Sequence, residues 1–445
     1  MIEIHKKSHK LDFFISPQSV DSSKSYSRSQ FVYPFERDGR TYLFHTFTKQ
    51  CIDTEYLELS DRLYLADEVA ASSQLSELVK YSFLVPADRD ECAYYEGIIR
   101  MLRITSRKKG FKKYTILPTT ACNARCVYCF EEGMKQVSMT EETARKTARY
   151  IAQTRIPDKS IHIEWFGGEP LLGARYIDII CQELADRGIS FTGSMVTNGS
   201  LLTDEIIGKM TALWNIRHLQ VSVDGTEQEY IKRKQYPKYT GQYHRVMEGV
   251  HRAISKGIFV NIRCNVDDEN LSDIDGFINV LDKEFPERKN ISAYFIPMNE
   301  VRASDRCLST WQRCYAAADE LKRRGFQLEE ENHVLSLRIH NCIADDVTGS
   351  VVIAPDGNLY RCEGYDEKDS YGDIDNGVTD ESNLKRFEDY GKTREKCRDC
   401  VFLPECTSFS KCMITDLHCQ EVREIIQNRA MDRMLADVKT KGVHL

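Results

Sequence analysis

The sequence predicts an α/β protein: a partial (β/α)6 TIM-like barrel, with a small α+β domain before it and a cysteine-rich region after it. Three observations predict this. From residue 114 to about 322, short β-rich runs alternate with amphipathic helical stretches, and such alternation gives a parallel sheet with right-handed crossovers. Residues 1–105 show strands and helices without that alternation. Beyond about residue 340 the alternation stops and cysteines crowd together. A chain of 445 residues exceeds one ordinary core, and the expected division is 1–105, 106–305 and 306–445.

In the first region, "FVYPFE" and "TYLFHTFT" flank Asp38-Gly39 and read as a hairpin. "SQLSELVKYSFLVP" reads as a helix from a serine cap, then a strand stopped by Pro86. The basic run "SRKKGFKK" at 106–113 marks a linker, either a solvated hinge or a contact for an acidic peptide. The barrel strands are "YTILPTT", "IHIEWFGG", "FTGSMVTNG", "LQVSVDG", "VNIRCNV" and "AYFIPMN". Helical stretches separate them; in "ARYIDIICQELADRG", Ile177, Ile180, Cys181 and Leu184 recur at helical spacing, so one face is buried. A last helix spans about 311–322. Six units are fewer than the eight of a closed barrel, so an open one is expected, with function on the loops after the strand C-termini. The last third carries one hairpin, "VVIAP-DG-NLYRC", and little apolar periodicity.

Composition excludes some classes. A net charge of −7 argues against a nucleic-acid binder that works by phosphate neutralisation. No run of 18 apolar residues is present, so no membrane span is expected. The N-terminus lacks the features of a signal peptide, which predicts a cytoplasmic protein. There are 16 cysteines, and in a reducing compartment clustered cysteines are read as metal or redox sites before disulfides. Cys51, Cys92, Cys181, Cys264, Cys307 and Cys314 fall outside the motifs and read as small buried hydrophobes.

Cys122, Cys126 and Cys129 follow the first barrel strand with C-x3-C-x2-C spacing, and Tyr128 precedes the last. Gly167, Gly168, Glu169 and Pro170 close the second strand; glycine-freed amides and a carboxylate there suit an ammonium ligand, or make an ordinary turn. Thr197 and Asn198 end the third strand, and Ser222 and Asp224 the fourth. Near the C-terminus, Cys342-x14-Gly357-x4-Cys362 is followed by Cys397-x2-Cys400-x5-Cys406-x5-Cys412-x6-Cys419; the alternative for its C-x2-C-x5-C portion is a zinc ribbon.

The three-cysteine loop resembles the signature of the radical S-adenosylmethionine (radical SAM) superfamily. The resemblance implies that these thiolates hold a [4Fe–4S] cluster with one open iron, which the methionyl amine and carboxylate of S-adenosylmethionine chelate. It implies cofactor contacts at Tyr128, Gly167, Gly168, Glu169, Pro170, Thr197, Asn198, Ser222 and Asp224. The cofactor would yield methionine and a 5′-deoxyadenosyl radical that abstracts a hydrogen from a substrate carbon.

The C-terminal cysteines are similar to the SPASM domain of peptide-modifying members, with five residues rather than three before Cys412. That likeness implies one auxiliary cluster on Cys397, Cys400, Cys406 and Cys419. A second, one ligand short unless Cys307, Cys314 or a non-cysteine group closes it, would sit on Cys342, Cys362 and Cys412, making three clusters in all. Glu363, directly after Cys362, is the candidate base, or a solvated turn residue. The resemblance implies a maturase of a ribosomally made precursor peptide that installs a thioether or carbon–carbon crosslink. The first domain would be a winged-helix-like leader-peptide binder, and a flavodoxin or ferredoxin the electron donor. A formylglycine-forming sulfatase maturase and a non-catalytic iron–sulfur or zinc protein are the alternatives.

Overall fold

The computed structural model describes residues 20–54, 75–107, 109–133, 135–237, 241–328, 339–340, 343–346, 348–385, 395–405 and 416–441. Cys342, Cys406 and Cys412 lie outside the described residues. The chain divides into two compact units: Met1–Ser106 with Glu330–Asn341 and Tyr390–Leu445, and Arg107–Glu329 with Cys342–Asp389. Residues 306–445, expected as one region, are shared between them.

In the first unit β1 (Tyr26–Arg28), β2 (Val32–Arg37), β3 (Arg40–His45) and β4 (Gln50–Asp53) precede α1 (Leu75–Lys80), β5 (Leu84–Pro86) and α2 (Glu91–Ser106). β2, β3 and β4 form an antiparallel sheet, and β1 pairs with β5. The predicted β2–β3 hairpin turns at Asp38 and Gly39, both with positive φ (54° and 75°), as a tight hairpin matching strand twist requires. The segment carrying Cys397 and Cys400 is fastened to this sheet. Gln30 Nε2 donates to the Arg398 carbonyl at 2.8 Å, and Thr46 Oγ1 to the Val401 carbonyl at 2.5 Å. Lys49 Nζ donates to Glu405 Oε1 at 2.7 Å, with both side chains buried. Tyr33 packs on Phe402, ring centroids 5.2 Å apart, and its hydroxyl donates to Asn428 at 2.9 Å, on the helix Cys419–Lys441.

The second unit begins with β6 (Lys113–Ile116). Then come α3 (Glu141–Thr154), β7 (Ile161–Trp165), α4 (Ala174–Asp186), β8 (Phe191–Thr197), α5 (Asp204–Ala212), β9 (Ile216–Ser222), α6 (Glu227–Lys234), α7 (Gln242–Ser255), β10 (Phe259–Val266), α8 (Ile274–Glu284), β11 (Ile291–Pro297) and α9 (Cys307–Arg323). All six predicted barrel strands form, parallel and in sequential order. The helices bury Ile177, Ile180, Cys181 and Leu184 of α4 against Ile161, Ile163 and Trp165 of β7 in one core. On the opposite face of the sheet the alternate residues are polar: His162 bridges to Thr192 (3.1 Å) and Ser194 (2.9 Å), and Tyr294 donates to Gln220 (2.8 Å).

The sequence placed the predicted C-terminal hairpin outside the barrel. In the structure β12 (Ser350–Ile353) pairs parallel with β6, Val352 opposite Thr115. β13 (Asn358–Tyr360), β14 (Gly372–Asp373) and β15 (Gly377–Val378) then continue the sheet antiparallel. The physical reason is that β6 would otherwise present an unpaired row of backbone donors and acceptors. The result is an open ten-stranded sheet with edges at β11 and β15.

Candidate functional site

The cysteine loop leaves β6 at residue 117 and is held from three sides. From β7, Gly168 N donates to the Thr119 carbonyl (3.3 Å) and Glu169 N to the Ala121 carbonyl (2.9 Å). The approach is so close that a Cβ on Gly168 would lie 2.5 Å from the Thr120 oxygen, and one on Gly167 2.3 Å from that of Thr119. Gly167 also has φ +119°, which L side chains rarely adopt. From β8, Asn198 Nδ2 donates to Asn123 Oδ1 at 2.9 Å and lies 3.9 Å from Cys122 Sγ. From α6, the carbonyls of Lys234 and Arg233 accept from the amides of Arg125 and Val127, both at 3.0 Å.

The three thiols are half-exposed and free of disulfides, and each of Cys122 and Cys129 feels the charge of Cys126. Burial pushes the Cys122 thiol up to about 11. A soft metal is the natural partner for three thiols displayed on one loop. Among the described residues no three Cys, His, Asp or Glu side chains converge on a single-ion site. A four-iron cube suits this donor set, since its cysteine ligands bind separate irons and are spread apart.

Glu169 is buried and held by three donors. Its Oε1 accepts from Leu171 N (3.0 Å) and Thr197 Oγ1 (2.9 Å), and its Oε2 from Thr197 Oγ1 (3.0 Å) and Asn198 N (2.8 Å). Burial pushes its carboxyl up to about 7 against these bonds. It therefore welds the end of β7 to the end of β8. Pro170 opens the short 3-10 turn that follows and is buried. Ser222, half-buried, ends β9 opposite Arg263 of β10, and Arg263 Nε donates to Asn265 Oδ1 at 2.9 Å.

Asp224 is buried and fully engaged with the chain itself. It accepts from the Tyr128 hydroxyl, from Asn265 N (3.0 Å) and Nδ2 (3.1 Å), and pairs with Lys234 Nζ at 3.0 Å. Lys234 also donates to the Tyr128 hydroxyl at 2.7 Å. Burial alone would raise the Asp224 carboxyl; the Lys234 ammonium and its hydrogen bonds hold it below the usual range. Arg233 lies over the Tyr128 ring at 5.3 Å and pairs with Asp267 at 2.8 Å. From the sequence Arg233 could pair with a cofactor carboxylate or make a surface or structural ion pair, and the structure shows the structural pair; Lys234 carries no motif that marks it in the sequence.

Glu363 follows β13, and one of its carboxylate oxygens is buried without a partner. Its carboxyl is raised by burial and senses Glu164 and Lys113 on the polar face of the sheet. Beside it Tyr365 stacks on Tyr360 at 3.7 Å, against Leu117, Val352 and Phe166. Glu131, two residues after Cys129, was missed: burial pushes its carboxyl up to about 7, and its charge reaches Tyr365. Of the other auxiliary cysteines, Cys362 belongs to the barrel unit, and Cys397, Cys400 and Cys419 to the other. Cys400 N donates to the Cys397 carbonyl at 3.2 Å in a tight turn. Cys307 and Cys314 lie on the buried side of α9, and burial pushes Cys314 up to about 12.

Residues 116–281 match the family model for the Radical SAM superfamily. This chain carries a radical SAM domain. Enzymes of that superfamily use a [4Fe–4S] cluster and S-adenosylmethionine, so the domain implies catalysis. Within it, the chain is 29% identical over 156 residues to the AdoMet-dependent heme synthase of Methanosarcina barkeri, 35% of this chain and 43% of that protein. It is 28% identical over 222 residues to the GTP 3′,8-cyclase of Marinobacter nauticus, 46% and 61%. The chain thus spans less than two thirds of these relatives. The fold around the radical SAM domain is similar to that of native anSMEcpe with bound AdoMet, with a TM-score of 0.60 at 15% identity over 74% of this chain and 99% of that one.

Proposed function

We propose that this enzyme matures a ribosomally made precursor peptide by installing a crosslink, a thioether in the favoured version. The observation that carries the reading is the placement of Cys362 and Glu363. Their hairpin is paired in register with β6, the strand that delivers the three-cysteine loop. A further cysteine and a carboxylate with a partnerless buried oxygen are thereby built onto the radical domain's own sheet. The cysteine order from Cys342 to Cys419 supports auxiliary clusters: Cys397, Cys400, Cys406 and Cys419 would hold one, and Cys342, Cys362 and Cys412 a three-ligand one. A substrate thiolate suits the open position of the latter. A peptide is also the kind of ligand with which the fold neighbour anSMEcpe has been solved.

When bound, the cube on Cys122, Cys126 and Cys129 with S-adenosylmethionine supplies the hydrogen-abstracting radical. The chain's part is to orient and to exclude water. The amides freed at Gly167 and Gly168, the Thr197–Asn198 strand end and Ser222 would line the cofactor. Glu169 would balance its ammonium, and Tyr128 and Asp224 would stiffen the loop beneath it. Glu363 would take the proton from the reacting thiol. The sheet of β2, β3 and β4 would take the leader segment as an added strand. The electron would come from a flavodoxin- or ferredoxin-type donor. No helix among the described residues is long and apolar enough to cross a membrane.

The test is anaerobic reconstitution followed by reaction with a cysteine-containing peptide encoded beside this gene. About 12 irons per chain are expected, with reductant-dependent cleavage of S-adenosylmethionine and a peptide lighter by two hydrogens that keeps its sulfur. A product in which sulfur is replaced by oxygen would assign the formylglycine reaction instead. Zinc without iron, or no cleavage, would remove the radical reading.

A further inference from the structure

We propose that Lys234 is a positioning residue that sets both the shape and the reduction potential of the three-cysteine site. The proposal rests on the radical SAM reading above. One residue acts on the loop in two ways. Its carbonyl accepts from Arg125 N at 3.0 Å, between Cys122 and Cys126, and the adjacent Arg233 carbonyl accepts from Val127 N, between Cys126 and Cys129. These bonds use backbone acceptors at the end of α6, which closes on Gln235 at φ 45°.

The Lys234 side chain then turns under the same loop. Its side chain is 2% exposed, and its ammonium lies 3.0 Å from Asp224 Oδ2 and 2.7 Å from the Tyr128 hydroxyl. It lies 5.3 Å from the centre of the Tyr128 ring, while Arg233 covers that ring. A buried ammonium with one carboxylate partner is costly to build, and a lysine facing solvent would have held the helix end equally well. The two groups it bonds, Arg125 N and the Tyr128 hydroxyl, directly precede Cys126 and Cys129 in the chain, so the ammonium is held beside the loop that displays those thiols. A reduced cluster carries one more negative charge than an oxidised one. A fixed cation in a low-dielectric setting therefore favours the reduced form.

The test uses the full chain, reconstituted without S-adenosylmethionine and followed by EPR during a redox titration. The signal of this loop is the one that Cys126→Ala removes. Lys234→Met is expected to lower the reduced-to-oxidised ratio at a fixed potential on the order of ten-fold, about 59 mV for a one-electron couple. Lys234→Arg is expected to return most of it. Because Lys234→Met strands the Asp224 carboxylate and threatens folding, Lys234→Met/Asp224→Asn is the companion: thermal stability recovers, and the potential lies between that of Lys234→Met and that of the wild type, since a negative charge leaves with the positive one. A wild-type potential in either methionine variant, at full iron content, overturns the proposal. A wild type that holds no cube fails the radical reading itself and is distinguishable, since the signal removed by Cys126→Ala would never be present.

Discussion

Glu169 carries the sharpest prediction at the scale of single residues. Burial raises its carboxyl from the ordinary 4.5 to about 7, so the fold favours the protonated form. Its contribution to stability is present below the ordinary value and is lost as pH rises through about 7. A cationic ligand reverses the preference, because it favours the carboxylate. Affinity for S-adenosylmethionine should therefore rise between about pH 6 and about pH 8, measured by anaerobic calorimetry, and Glu169→Gln should flatten the profile. Gly168→Ala tests the cradle, since its new methyl would meet backbone oxygens of Thr120 and Ala121 at 2.5 and 2.6 Å. The expected cost is about 1–3 kcal/mol, read from thermal unfolding, together with loss of iron from the three-cysteine loop. Cys122 and its two partners could be singled out from spacing alone. The buried role of Asp224 could not, because Asp-Gly reads as a turn in any sequence. Only the fold shows that Tyr128, Asn265 and Lys234 surround it.

At the scale of elements, β12 is the piece whose position matters most. It lies between β6 and β13, so each of its amides has a neighbour to serve. Val352→Pro removes one ladder donor in the middle of a sheet. A loss of about 1–3 kcal/mol is expected, with faster proteolysis of the 350–360 hairpin than of α7 or α8. Equal protection of hairpin and helices would show that β12 contributes little. The six barrel strands were readable because each is a short β-rich run between helices with an apolar stripe. α6 was not. It buries only Tyr230, Arg233 and Lys234 and leaves Ile231 exposed, so it has no stripe to detect. Its stability comes from the cysteine loop it supports, a tertiary effect absent from local sequence. The pairing of β12 with β6 was hidden for a similar reason: more than 230 residues separate strands whose match depends on an unfilled edge.

At the scale of the whole molecule, the first unit is made of distant stretches of chain, and Lys49–Glu405 is its buried tie. Lys49→Met should cost about 1–3 kcal/mol, because Glu405 is left buried with only the Gln427 amide and the charge of Arg423 to offset it. Lys49→Met/Glu405→Gln should recover much of that loss, and thermal melts of the pair decide the point. The sequence presented residues 1–105 as a self-standing domain, since Phe402 and Asn428, which meet Tyr33, and Val401, which meets Thr46, lie far along the chain and carry no local mark. This arrangement has a consequence during synthesis. Residues 1–106 leave the ribosome with the faces that Leu403 and Phe402 will cover still bare. At about 5–20 residues per second they wait on the order of 15–70 s for residues 390–445 to arrive. Residues 107–329 emerge in that interval and include the radical SAM domain. The first sheet is therefore the segment with most need of a holding chaperone, and ribosome-nascent chains halted near residue 380 should crosslink to one through Phe31 or Tyr33.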